Sequence, residues 1–165
     1  MYKYSVYLAG PISGLDLEEG EGWRQEAVDY LAECNIAAFS PLRKKDYLKG
    51  EGHIVGAYDD WPLSTQRGIY SRDRFDCHRV DAVIANLHRD YLGSEDNGSQ
   101  KVSIGTVMEI AWAAQNNTPV ILIMDDGNIH HHPMIMEASP FVVDNLPEAL
   151  DLVDAILRPS KTKYW

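Results

Sequence analysis

Five short apolar runs punctuate the chain, and the segments between them carry either helical spacing or turn formers. YSVYLAG, at residues 4–10, is β-branched and aromatic and closes at Gly10-Pro11, which predicts a buried strand that ends near Ala9 and enters a turn. From Glu18 to Cys34 the apolar positions Trp23, Ala27, Tyr30, Leu31 and Cys34 recur at helical spacing, and Asn35 supplies a stop, so an amphipathic helix is expected. IAAFSP then reads as a second strand closed by Pro41. Leu42 to Gly68 has little periodicity and many turn formers, and a connection that long predicts a functional loop covering a site.

Ile69, Phe75 and Val80 fall on a loose helical register in IYSRDRFDCHRVD, which runs straight into AVIANL, a third strand. His88 to Lys101 is polar and reads as a loop. A helix in VSIGTVMEIAWAAQNN precedes the strand PVILIM, DDGNIHHHPMIMEASP reads as irregular, FVVDN as a short strand, and Leu150, Val153, Ile156 and Leu157 mark a last helix from Pro147 to Leu157. Near-continuously apolar strands alternating with helices predict an α/β fold, its parallel sheet covered on both faces. Ligands bind such sheets beyond the carboxyl ends of the strands. Three loops should meet there: GPISG after the first strand, the long loop after the second, and GSQKVSIG after the third.

A length of 165 residues favours one domain spanning 1–165. The 45% hydrophobic and 24% charged fractions suit a folded globular chain rather than a disordered one. With 15 basic and 25 acidic residues the net charge is -10, which argues against a nonspecific partner among nucleic-acid polymers. A small anion can still be held by a helix amino terminus. Cys34 and Cys77 lack CxxC spacing, and the opening MYKYSVYLAG has neither a basic leader nor a long apolar core, so a cytoplasmic location is expected. No apolar run approaches the roughly 20 residues of a membrane helix.

Within the helix before PVILIM a lone acid, Glu109, sits in an otherwise apolar run. Thr106-x-x-Glu109 fits a capping box, in which the acid only reaches back to its own helix start. Alternatively, the positive end of the helix holds the carboxylate ionised, as a nucleophile requires. A second acid, Asp73, precedes the third strand, and two acids flanking one bond are what glycosidic cleavage uses. Asp76 reads as a solvated helix-face charge.

Taken in order, VYLAGPISG, RDxxDxxRVDAVIANL and SIGTVMEIAWA resemble the nucleoside 2-deoxyribosyltransferase family and its relatives that hydrolyse deoxynucleoside 5'-monophosphates. The resemblance implies a flavodoxin-like three-layer sandwich with a five-stranded parallel sheet, a homo-oligomer, and no metal or organic cofactor. It further implies that Glu109 attacks C1' of deoxyribose to form a glycosyl-enzyme intermediate, that Tyr7 holds Glu109 in place, and that Asp73 passes a proton to the departing base. Gly10, Pro11, Ser13, Gly14, Ser103 and Gly105 would face the sugar or its 5' group. The implied partners are a 2'-deoxynucleoside or its 5'-monophosphate, and a free base.

Three departures from the family pattern bear on substrate. Ser103 stands where several transferases carry an aspartate for the 5'-hydroxyl, which lifts the repulsion a phosphate would meet. GPISG lacks the arginine of the corresponding hydrolase loop, and HPMIMEA lacks the asparagine that transferases extend over a neighbouring subunit's sugar. Asp59 and Trp61, in DDWP, would give a base an acceptor and a stacking face, or else form a turn around a packed indole. His130, His131 and His132 have no metal-ligand spacing and read as a surface loop. The readings left open are deoxyribose transfer between bases, hydrolysis of deoxynucleoside monophosphates, and a silent nucleotide-binding module in which Glu109 caps its helix.

Overall fold

The computed structural model describes residues 2–92 and 100–158. Five strands, β1 (Tyr4–Ala9), β2 (Ile36–Phe39), β3 (Ala82–Asn86), β4 (Val120–Ile123) and β5 (Phe141–Val143), form one sheet in the order β2-β1-β3-β4-β5. Every neighbouring pair is parallel. This is the flavodoxin-like order, with its switch point between β1 and β3, where the chain first crosses from one side of β1 to the other.

Helices α1 (Leu17–Glu33) and α5 (Leu146–Leu157) cover one face, while α2 (Gln66–Arg79), α3 (Ile104–Gln115) and α4 (Pro133–Ala138) lie on the other. The strand period of two decides which residue meets which layer. Val6 and Leu8 pack with Trp23, Ala27 and Leu31 of α1, whereas Tyr7 and Ala9 face Cys77 of α2 and Ile110 of α3. Tyr7 is thereby aimed into the layer that carries both candidate acids.

Helix α1 starts at a reciprocal cap, in which Asp16 accepts from the Glu19 amide and the Glu19 side chain accepts from the Asp16 amide. Helix α2 begins three residues before the register of Ile69 suggests, because Thr65 caps it by accepting from Gly68. In place of an irregular run, PMIMEA forms α4, with Pro133 at its start and His132 as cap. Six residues are too few for apolar periodicity to reveal.

The long connection after β2 has its own small core of Leu42, Leu48 and Ile54 with Leu17. Paired backbone bonds, Gly14 N to Ile54 O (2.9 Å) and Ile54 N to Leu15 O (2.8 Å), tie it to the loop after β1. Of the polar stretch from His88 to Lys101, residues 93–99 lie outside the described part. No described helix is long and apolar enough to cross a membrane.

Candidate active site

A cleft of about 390 Å³ opens beyond the carboxyl end of β1, lined by Gly10, Pro11 and Ser13, by Leu42, Lys45 and Ile54 of the long connection, by Asp73, and by Lys101, Ser103, Gly105 and Glu109. That volume suits a small-molecule ligand. The Tyr7 hydroxyl, buried behind the cleft, donates to Oε1 of Glu109 at 2.7 Å. Asp73 shares the cleft, and its Oδ1 is buried without a hydrogen-bond partner among the described residues.

Glu109 does not cap its helix. Ser103 is the N-cap of α3, and its Oγ lies 2.8 Å from Oγ1 of Thr106, while Glu109 sits two residues beyond the first turn and turns toward Tyr7. The helix end also fails to hold Glu109 at an ordinary carboxylate pKa. Burial, and then the nearby Asp73, push it up to about 8, against the opposing pull of the Tyr7 hydrogen bond and of Arg24 and Lys45. Desolvation wins because the helix dipole weakens beyond the first turn. Asp73 is raised as well, chiefly by burial, with Lys45 opposing. Tyr7, raised far above its usual value by burial and by Glu109, remains a hydroxyl donor.

Two buried cations flank these acids, and neither stands out in the sequence. Arg24 of α1 donates to the carbonyl oxygens of Leu8 (3.2 Å), Gly10 (2.8 Å) and Gly20, which fixes the turn after β1. Gly10 suits this crowded place, since a Cβ would sit 3.0 Å from both Trp23 and Arg24 and force these side chains to shift. Lys45 is 5% exposed and lines the cleft. In sequence it looks like one more solvated lysine of the RKK run.

Asp76, expected in solvent, is fully buried between Arg43 (2.6 Å) and Arg79 (2.8 Å). Both guanidinium groups lie over the Phe39 ring. The face of α2 turned to the sheet is thus polar, with Asp73, Asp76 and Cys77 inward. Phe75, on the apolar register, points out and is 62% exposed. The inward face was readable only as the i, i+3, i+4 spacing of those polar residues.

His130 is not on the surface either. Its Nε2 accepts from the Ser103 amide (2.9 Å), and its Nδ1 lies 3.0 Å from Oδ1 of Asn128, so the Nε2 acceptor places the proton on Nδ1. Asn128 in turn donates to the Leu87 carbonyl and to Asp125, each at 2.8 Å. This buried chain anchors the segment that feeds α3, and His131 and His132 stay exposed. Among the described residues no group of three His, Cys, Asp or Glu is placed to hold a metal.

The remaining expected contacts divide. Gly10, Pro11, Ser13, Ser103 and Gly105 line the cleft, whereas Gly14, Asp59 and Trp61 do not. Gly14 makes the turn at a φ of +90°, a left-handed angle that favours glycine. The Trp61 indole stacks on Tyr47 (4.5 Å between centroids) and tilts against Tyr58, which makes it part of an aromatic cluster of the long connection. Asp59 is exposed on the same turn.

The sequence model of a family described as nucleoside 2-deoxyribosyltransferase matches residues 6–150. A search of curated protein sequences gives no match. Among solved structures, a 2-desoxiribosyltransferase from Leishmania mexicana aligns with a TM-score of 0.61 at 16% identity, over 94% of this chain and 99% of that one. A CMP N-glycosidase from Clostridium botulinum aligns at 0.54 and 16%, covering 93% and 99%. The molybdenum cofactor binding protein of the phototrophic bacterium Rippkaea orientalis aligns at 0.58 and 19%, covering 96% and 99%. At such identities the likeness establishes the fold and leaves the reaction to the site itself.

Proposed function

Because this chain belongs to the nucleoside 2-deoxyribosyltransferase family, we propose that it cleaves the N-glycosidic bond of a 2'-deoxynucleoside through a glycosyl-Glu109 intermediate and passes the sugar to another base. The observation that carries this reading is the bond from Tyr7 to Glu109 beneath a cleft that Asp73 also enters. Glu109 Oε forms the bond to C1' as the C1'–N bond breaks. The electron pair goes to the base, whose ring nitrogen takes the proton of Asp73. An incoming base attacks C1', gives its proton to the Asp73 carboxylate and frees Glu109. The working form is the singly protonated pair with the proton on Asp73 and Glu109 ionised, which the Tyr7 hydrogen bond to Glu109 favours.

A second reading, hydrolysis of a 5'-monophosphate, is favoured by the wall around the first turn of α3. Ser103 and Lys101 bring no negative charge there, and a helix start attracts phosphate. Incubation with deoxyinosine and adenine, then with deoxynucleoside monophosphates alone, separates base exchange from release. Failure to free a base from any of them defeats both readings.

The chain is also proposed to work as a homo-oligomer. Tyr70 and Phe75 on α2, Ile104 and Met108 on α3 and Met134 on α4 are exposed apolar side chains on one helical layer, as an interface between copies would be. Light scattering of the purified protein tests this, a monomer being the contrary result.

A further inference from the structure

We propose that Lys45 is a catalytic residue of the base subsite: its ammonium binds a ring carbonyl oxygen of the departing base and selects nucleosides whose base carries one. This rests on the N-glycosidic reading above and names the substrate class of the same site.

Lys45 is turned inward by its neighbour. Lys44 holds a left-handed backbone, φ 63°, which a side-chain-bearing residue adopts at a cost. Lys44 is consequently exposed while Lys45 enters the cleft, and the Lys45 backbone is pinned by Lys45 N to Leu42 O (3.0 Å) and Leu48 N to Lys45 O (2.9 Å). A strained residue followed by a buried cation is an expensive arrangement with no structural return on this side chain. Among the described residues Lys45 makes no side-chain hydrogen bond and no ion pair, whereas buried charges are ordinarily paired. Its partner is therefore a group that enters the cleft.

The position of the ammonium identifies that group. Lys45 and Asp73 line the same cleft, and of the two acids Asp73 acts on the Lys45 ammonium more strongly than Glu109 does. Lys45 thus lies on the Asp73 side, where the base departs, and it belongs to the connection after β2. Ser103 belongs to α3, which follows β3 on the other side of β1. An ammonium has three donors and no acceptor. It accordingly favours a ring oxygen over an amino group at the same place.

Charge flow gives the contact its catalytic value. As the C1'–N bond breaks, its electron pair enters the ring and spreads onto a conjugated carbonyl oxygen. Lys45 donates to that oxygen more strongly as the charge grows, so the contact favours the transition state over the bound substrate. Asp73 delivers the proton to the ring nitrogen, and Lys45 keeps all of its own.

The test measures base release by the full chain, wild type, Lys45→Met and Lys45→Arg, from 2'-deoxyinosine, 2'-deoxyadenosine and 7-methyl-2'-deoxyguanosine, each also as its 5'-monophosphate. The 7-methyl base departs without gaining net negative charge and needs no cation. Lys45→Met should lower kcat on deoxyinosine by about 100-fold more than on the other two, whose shared loss reports only the missing charge beside Asp73 and Glu109, and recover in part with Lys45→Arg. An equal loss on all three substrates, or no loss on any, overturns the role of Lys45 and leaves the glycosidic reading standing. A wild type that releases no base from any of them overturns both. Should Lys45→Met not fold, the wild type decides: kcat/KM for deoxyinosine should exceed that for deoxyadenosine by more than about 10-fold, and a ratio at or below one overturns the proposal.

Discussion

The Tyr7 hydroxyl donates to Oε1 of Glu109 at 2.7 Å across 102 residues of sequence. The bond exists because the pleat of β1 sends Tyr7 toward α3 while Val6 and Leu8 go to the opposite layer. It supports the ionised form of an acid that burial alone would keep protonated, and it fixes which oxygen remains free to face the cleft.

Glu109→Gln should abolish base release, by at least about 10⁴-fold, without unfolding the protein. Glu109 has a folded pKa of about 8 against an ordinary 4.5, so the folded state holds a proton the unfolded state has lost. Its contribution to stability is complete below pH 4.5 and is lost as pH rises to 8. The glutamine variant should therefore melt no lower than wild type at pH 9, as calorimetry would show. A clearly lower melting temperature there contradicts the electrostatic account.

Removing only the phenol oxygen in Tyr7→Phe should reduce kcat by about 10- to 100-fold with little change in KM, because Tyr7 lies behind the cleft and acts through Glu109. The Glu109 pKa loses a lowering influence and should rise further. Steady-state kinetics across pH would register this as an alkaline limb displaced upward. An unmoved limb would refute the link.

The charge of Asp73 raises the pKa of Glu109, so the pair gives up its protons in separate steps. Catalysis needs one ionised and one protonated. In wild type kcat/KM should rise with pH through a step above the ordinary Asp value of 3.8, and fall again near pH 8. A profile still climbing at pH 10 would exclude the singly protonated pair as the working form.

Asp76→Asn keeps the side-chain shape while depriving Arg43 and Arg79 of their shared partner. Both arginines are partly exposed and can turn to water, which limits the loss to about 1–3 kcal/mol, or a melting temperature lower by about 3–10 °C. Turnover of the folded protein should be unchanged. A kinetic defect at full stability would mean that Asp76 takes part in the chemistry.

The sequence by itself determined the order of elements, the parallel sheet and the approximate extents of β1, α1, β3 and β4, because apolar period and breakers are local signals that the fold does not override. It also singled out Tyr7, Asp73 and Glu109 through short motifs. The tertiary structure decided what depends on distant neighbours. Asp76 and His130 are polar, and only the partners that Arg43, Arg79, Asn128 and the Ser103 amide bring to them make their burial tolerable. Lys45 differs from Lys44 by a single backbone turn that no composition records. Helix α4 is too short to show a period, and the packing of Trp61 with Tyr47 and Tyr58 joins rings that only the folded connection brings together. Even the pKa of Glu109 was decided by the fold, since desolvation by the surrounding protein outweighs the helix end that local sequence supplies.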